Sequence, residues 1–191
     1  GIQIYREFMP GFVNIQAEIA DHMNARMDRD SISMPWYQGG LHTLPGSRFK
    51  IEELPHGERM LSFIELNADR YWKPLKYRGS PRLKFHWAQR NPTGGSTTLL
   101  HDHARSPVAG CFYIDMPTQG GQLVLKNPME SQLVSQPFPA DNMGHNKSMF
   151  DHLMDPSNGE LIMWPGYLWH STQPNLSGSA RLLLAFDFWA K

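Results

Sequence analysis

Thr97-Thr98-Leu99-Leu100-His101-Asp102-His103 and, a short break later, Val108-Ala109-Gly110-Cys111-Phe112-Tyr113-Ile114-Asp115 decide the reading of this chain. Both are short runs of strand composition bounded by turn residues. Runs of the same kind cover residues 83–89, 122–126, 160–164, 167–173 and 180–189. Gly94-Gly95, Gly120-Gly121, Pro165-Gly166 and residues 175–178 separate them as turns. Upstream of Pro81 the pattern differs. Ile15, Ile19, Met23 and Met27 recur every fourth residue, which suits one face of a helix. A second helix is expected over residues 57–71, with Met60, Ile64 and Tyr71 as its stripe and Leu61 beside it. Pro74 is expected to end it. Pro35, Gly39, Gly40, Pro45 and Gly46 punctuate the loop region between the two. Helices first and many short strands afterwards predict a mainly β core, sandwich or barrel, with flanking α-helices. Residues 127–158 form a long polar stretch rich in Pro, Met, Asn and Asp, a candidate lid or substrate wall.

The chain has 191 residues, enough for one domain with its own core. Eighteen basic residues balance 18 acidic ones, so neither a nucleic-acid backbone nor an anionic membrane is an expected partner. The single cysteine, Cys111, allows no internal disulfide, in keeping with a reducing compartment. Apolar runs such as residues 182–186 are far too short to span a bilayer. No leader pattern opens the chain at Gly1, and a cytoplasmic location is expected.

Nine histidines are present. His22, His42, His56, His145 and His152 read as structural or solvated, and His86 as a strand residue that packs or bonds in the core. His101 and His103 stand apart because two residues on one strand project from the same face. Two imidazoles on one face can share a metal ion, whereas Asp102 points the other way. The plainer alternative is a surface His-Asp-His triplet at a strand end, and spacing alone does not choose. His170 follows the apolar run Leu161-Ile162-Met163-Trp164 and the turn Pro165-Gly166. A third histidine can complete one face of an octahedral iron site and leave positions open. Arg181 opens another apolar run. It can bind a carboxylate through two parallel hydrogen bonds or form a surface salt bridge, but a charge at the edge of a buried strand needs a partner.

These motifs carry a family resemblance. His101-Asp102-His103-Ala104-Arg105-Ser106-Pro107-Val108-Ala109-Gly110-Cys111-Phe112-Tyr113-Ile114 resembles the His-x-His and Ser-Gly-Val-Tyr-Tyr-like pattern of a family of 2-oxoglutarate- and iron(II)-dependent oxygenases. Gly159-Glu160-Leu161-Ile162-Met163-Trp164-Pro165-Gly166-Tyr167-Leu168-Trp169-His170-Ser171 resembles its second motif, and Pro174-Asn175, Gly178 and residues 181–188 continue the match. The resemblance implies a double-stranded β-helix, or jelly roll, with helices against one sheet. A single domain over residues 1–191 is then expected, with 1–80 as a helical and loop support and 81–191 as the catalytic jelly roll. The resemblance implies that His101 and His170 are iron ligands and that Arg181 clamps the far carboxylate of 2-oxoglutarate. Tyr113 matches a tyrosine often found beside that clamp. Gly120-Gly121-Gln122-Leu123 resembles a Gly-Gly-x-Leu strand, making Leu123 an apolar wall of the cosubstrate pocket.

One position departs from the wider pattern. Asp or Glu usually stands two residues after the first histidine, and here it is His103. A three-histidine site is chemically sound, since imidazole suits ferrous iron. The alternative is iron held by two histidines and water. The function implied is an oxygenase using Fe(II), 2-oxoglutarate and dioxygen. Its expected default outcome is hydroxylation of a C–H bond in a small-molecule or peptide substrate, with release of succinate and CO2. Three rivals remain: a three-histidine cupin-type dioxygenase without 2-oxoglutarate, a non-catalytic jelly-roll binding domain, and a zinc hydrolase. Trp87, Trp164 and Trp169 read as core residues.

Overall fold

The four-residue apolar recurrence forms helix α1 (Gln16–Asp30), whose Ile19, Ala20, Met23 and Met27 are buried. Helix α2 (Gly57–Leu75) buries Met60, Ile64, Ala68, Tyr71 and Trp72. It runs through Pro74 rather than stopping before it, and its C-cap Lys76 takes a left-handed conformation with φ 56°. In the computed structural model residues 2–34, 38–128 and 151–191 are described. Most of the candidate lid, and His145, lie outside them. Among the described residues no helix is long and apolar enough to cross a membrane.

The strands are β1 (Tyr5–Phe8), β2 (Ile32–Met34), β3 (Leu41–Pro45), β4 (Pro81–Asn91), β5 (Val108–Asp115), β6 (Leu123–Lys126), β7 (Asp151–Met154), β8 (Glu160–Pro165), β9 (His170–Thr172) and β10 (Arg181–Ala190). They make two antiparallel sheets, a large one ordered β1-β8-β5-β10-β4-β3-β2 and a small one ordered β7-β6-β9. Two facing sheets with helices outside are the expected double-stranded β-helix. The first 80 residues supply more than helix and loop, since β1, β2 and β3 all join the large sheet. Each is only three to five residues long. β1 pairs with β8 and β3 with β4, distant in sequence, so local composition carries little trace of them.

Residues 97–103 do not form the expected strand. They run beside β9 with only intermittent pairing: Thr172 N–H to Thr98 O, a mutual His101–His170 bridge, and His103 N–H to Gly166 O. From Thr98 to His101 is three steps, while the partner moves two, from Thr172 to His170. That extra residue breaks the ladder, as in a bulge, and leaves Leu99 and Leu100 exposed. A shared strand face therefore does not explain how His101 and His103 come together.

Alternation along the central strands divides the interior in two. From β10, Leu182, Leu184, Phe186 and Phe188 join the helices, Phe112, Leu161 and Met163 in one cluster. Leu183 and Ala185 face the small sheet with Ala109, Tyr113, Leu123, Leu125, Ile162 and Trp164. Both faces of β8 and β10 are covered, which is why residues 161–164 and 182–186 are continuously apolar rather than alternating. Gly110 sits where they meet: a Cβ there would lie 2.7 Å from the Phe186 ring and 2.8 Å from Ile162 O. The helix layer is thus part of the core rather than an accessory. Ile64→Ala should destabilise the protein by about 2–5 kcal/mol, the usual cost of emptying such a buried site. Urea unfolding followed by circular dichroism measures it, and a loss below about 1 kcal/mol would mean that α2 is only loosely docked.

Candidate metal and carboxylate site

β9 turns His170 and Thr172 toward the inter-sheet space, opposite Leu125 and Leu123 of β6. The His101–His170 bridge ties residues 97–103 to the same edge. One potential ligand atom from each of His101, His103 and His170 lies within 4.8 Å of the others, close enough to share one ion. No other such group occurs among the described residues, and Asp102 is not part of this one. His42, His56 and His86 are engaged elsewhere, with Ser31, Glu18 and Phe49 O respectively.

Each of the three rings has an oxygen acceptor at Nδ1. His101 Nδ1 lies 2.7 Å from Leu99 O, and His170 Nδ1 lies 2.9 Å from Leu168 O. His103 Nδ1 lies 3.1 Å from Asp187 Oδ2. Carbonyl and carboxylate oxygens only accept, so Nδ1 carries the proton and Nε2 keeps its lone pair for an ion. Trp87 stacks on His103, with centroids 5.9 Å apart and an interplanar angle of 8°, while Trp164 meets His170 edge-on at 4.9 Å. Both tryptophans line the pocket around the trio, along with Tyr113 and Leu123. Trp169 is half exposed on the surface.

Arg181 is only 1% exposed. Its guanidinium donates to Gly120 O at 3.0 Å, to Gly121 O at 3.2 Å and to the Thr172 hydroxyl at 3.0 Å. Among the described residues Nε has no hydrogen-bond partner and no carboxylate pairs with the group. Burial pushes the arginine below its usual value. Burial also drives the Cys111 thiol up to about 12 and the Tyr113 phenol well above its ordinary value. Both stay neutral at physiological pH, so neither supplies the missing anion. A buried cation with only neutral partners is costly, and Thr172 links it to the pocket wall. The surface-salt-bridge alternative for Arg181 therefore does not hold.

Sequence reasoning did not single out Thr172 or Asp187. Asp187 was legible in principle, as an acidic residue closing an apolar run at even spacing from Arg181.

Burial, then the neighbouring His101, lowers the His170 pKa from 6.5 to about 3, and burial lowers that of His101 as well. Both are neutral at pH 7, as ligands must be. The sign of the linkage follows. Below pH 6.5 the unfolded chain binds protons that the folded one refuses. The metal-free protein should lose stability as pH falls from 6.5 toward about 3 and owe these groups nothing above 6.5. Thermal unfolding against pH checks this. His170→Gln should flatten the slope, and an unchanged slope would contradict the assignment.

The comparisons with known proteins agree with this geometry. A family model described as "Putative 2OG-Fe(II) oxygenase" matches residues 86–187, more than half of the chain. No curated protein matches the sequence. Among solved structures, a prolyl-4-hydroxylase from Pseudomonas putida has 17% identity and a TM-score of 0.65, covering 100% of this chain and 94% of that one. The epimerase SnoN from nogalamycin biosynthesis has 13% identity and a TM-score of 0.69, with 99% and 78% covered. HygX from Streptomyces hygroscopicus, solved with nickel and 2-oxoglutarate bound, has 14% identity and a TM-score of 0.61, with 100% and 84% covered. At these identities the likeness shows the fold; the family match, spanning all three clustered histidines and Arg181, shows the kinship. The chain belongs to the 2-oxoglutarate- and iron(II)-dependent oxygenases.

Proposed function

We propose that this chain hydroxylates a C–H bond of a small-molecule or peptide substrate while converting 2-oxoglutarate to succinate and CO2. The observation that carries this reading is Arg181, buried beside a three-histidine cluster with its Nε unpartnered among the described residues. A cupin-type dioxygenase or a zinc hydrolase would have no use for a buried cation that lacks a counter-ion there. The residues fit the family's cofactors on two counts. Three imidazoles present free Nε2 lone pairs, and a cationic group waits for a carboxylate.

In this reading His101, His103 and His170 hold Fe(II), and Arg181 with Thr172 and Tyr113 receives the far carboxylate of 2-oxoglutarate. Leu123, opposite Thr172, forms the apolar wall between them. When bound, iron(II) with 2-oxoglutarate and dioxygen supplies the oxidising chemistry. The chain's own work is positioning and exclusion of water. A cleft of about 600 Å³, walled by Leu41, Pro45, Phe85 and Trp87, opens onto His101 and His103 from the side of β3 and β4. Thr43, Lys84, Gln89 and Asp187 also line it, so it suits a substrate that offers both apolar and polar groups. The zero formal charge supports a reading without nucleic acid or membrane as partner, and the lone Cys111 supports a cytoplasmic location.

Arg181→Ala should weaken 2-oxoglutarate binding by about 2–5 kcal/mol, much of it from the carboxylate left unpaired, while metal uptake persists. Anaerobic addition of 2-oxoglutarate to the iron-loaded protein should raise a metal-to-ligand charge-transfer band, and titrating that band gives both affinities. No band in the wild type would return the chain to the cupin or binding-domain readings. His103→Ala should lose metal severely, whereas Asp102→Ala should be mild. A loss from His103→Ala as mild as that from Asp102→Ala would leave iron on two histidines and water.

A further inference from the structure

Leu183 and Ala185 of β10 point into the space between the sheets, and by alternation so do Arg181 and Asp187 at either end of the same row. The two charged residues bracket the site. Arg181 has no anionic partner among the described residues. Asp187 is 6% exposed and meets one of the three histidines. Its Oδ2 accepts from His103 Nδ1 at 3.1 Å, and Oδ1 lies 2.9 Å from the same nitrogen, off the line of the N–H. No lysine or arginine pairs with it among the described residues.

The three rings are not oriented alike. His101 and His170 are held by carbonyls two residues earlier in their own chain segments, so local backbone sets their rotation. His103 has no such local anchor. Its acceptor comes from β10 and is the only carboxylate hydrogen-bonded to the trio among the described residues. A buried carboxylate with no lysine or arginine beside it among the described residues is costly. A divalent ion held on the far nitrogen would offset that cost through the ring. Three imidazoles bring no negative charge to an ion, and Asp187 restores one, a ring's width further out.

We propose that Asp187 is a positioning residue of the metal centre: it fixes His103 with Nε2 toward the ion and supplies the negative charge that the three histidines lack. The proposal rests on the reading of these histidines as ligands. Carboxylates behind ligating imidazoles commonly matter by 10–100-fold in metal affinity, on the order of magnitude expected here.

The test is a Co(II) titration of the full metal-free chain, followed by the cobalt visible absorption. Wild type, Asp187→Ala, Asp187→Asn and His170→Ala are compared, with the thermal midpoint of each metal-free protein recorded separately. Asp187→Ala should bind Co(II) about 10–100-fold more weakly and with a shifted visible spectrum, as His103 loses its orientation. Asp187→Asn keeps the shape and an acceptor oxygen but not the charge, and should fall about tenfold. It also decides the matter should Asp187→Ala fail to fold. A merely structural role would lower the thermal midpoint and leave cobalt affinity and spectrum where they were. If Asp187→Asn binds within about twofold of wild type while His170→Ala does not bind, the role of Asp187 is overturned and the metal site stands. If His170→Ala binds as wild type does, the metal site itself falls, and Asp187 with it.

Discussion

Ionic side chains on an inward-facing row of a strand covered on both sides are the constraint on which this site depends. Water is excluded from β10 by the helices on one face and the small sheet on the other. Arg181 and Asp187 are nevertheless buried there. Neither position is tolerable without compensation. Each is met by something outside its own strand: backbone carbonyls and Thr172 for the arginine, His103 for the aspartate. In the proposed function the remaining imbalance at each end is met by one half of the chemistry, an anion at Arg181 and a cation beyond His103.

Rigidity around that row comes from the layer order. The large sheet is backed by α1 and α2, whose buried methionines and isoleucines leave little room for β10 to shift. Gly110 permits the close approach of β5 to Phe186 and Met163 that sets the spacing. The small sheet is only three strands wide, and its β9 edge is extended by the irregular segment 97–103 rather than by a full strand. Regular pairing would have spread that segment along β9. The slipped pairing instead lets His101 bridge His170 while His103 reaches across to β10.

By itself, the sequence determined the element types along most of the chain, because periodicities of two and of about four residues report which side of an element faces water. The strands over residues 108–115 and 181–190, both helices and the histidine pair with His170 and Arg181 were all legible, the last through a motif resemblance that spacing alone could not have named. Three short N-terminal strands were not: β1 and β3 pair with strands far along the chain, β2 pairs with β3, and all three are short and of unremarkable composition. Only the tertiary structure decided that residues 97–103 are not a strand, that Arg181 is buried without a counter-ion among the described residues, and that Asp187 stands behind His103. The physical reason is common to all three. Hydrogen-bond partners and burial are properties of segments brought together from 84 residues apart, as for His103 and Asp187, and no local pattern encodes which distant group a side chain will meet.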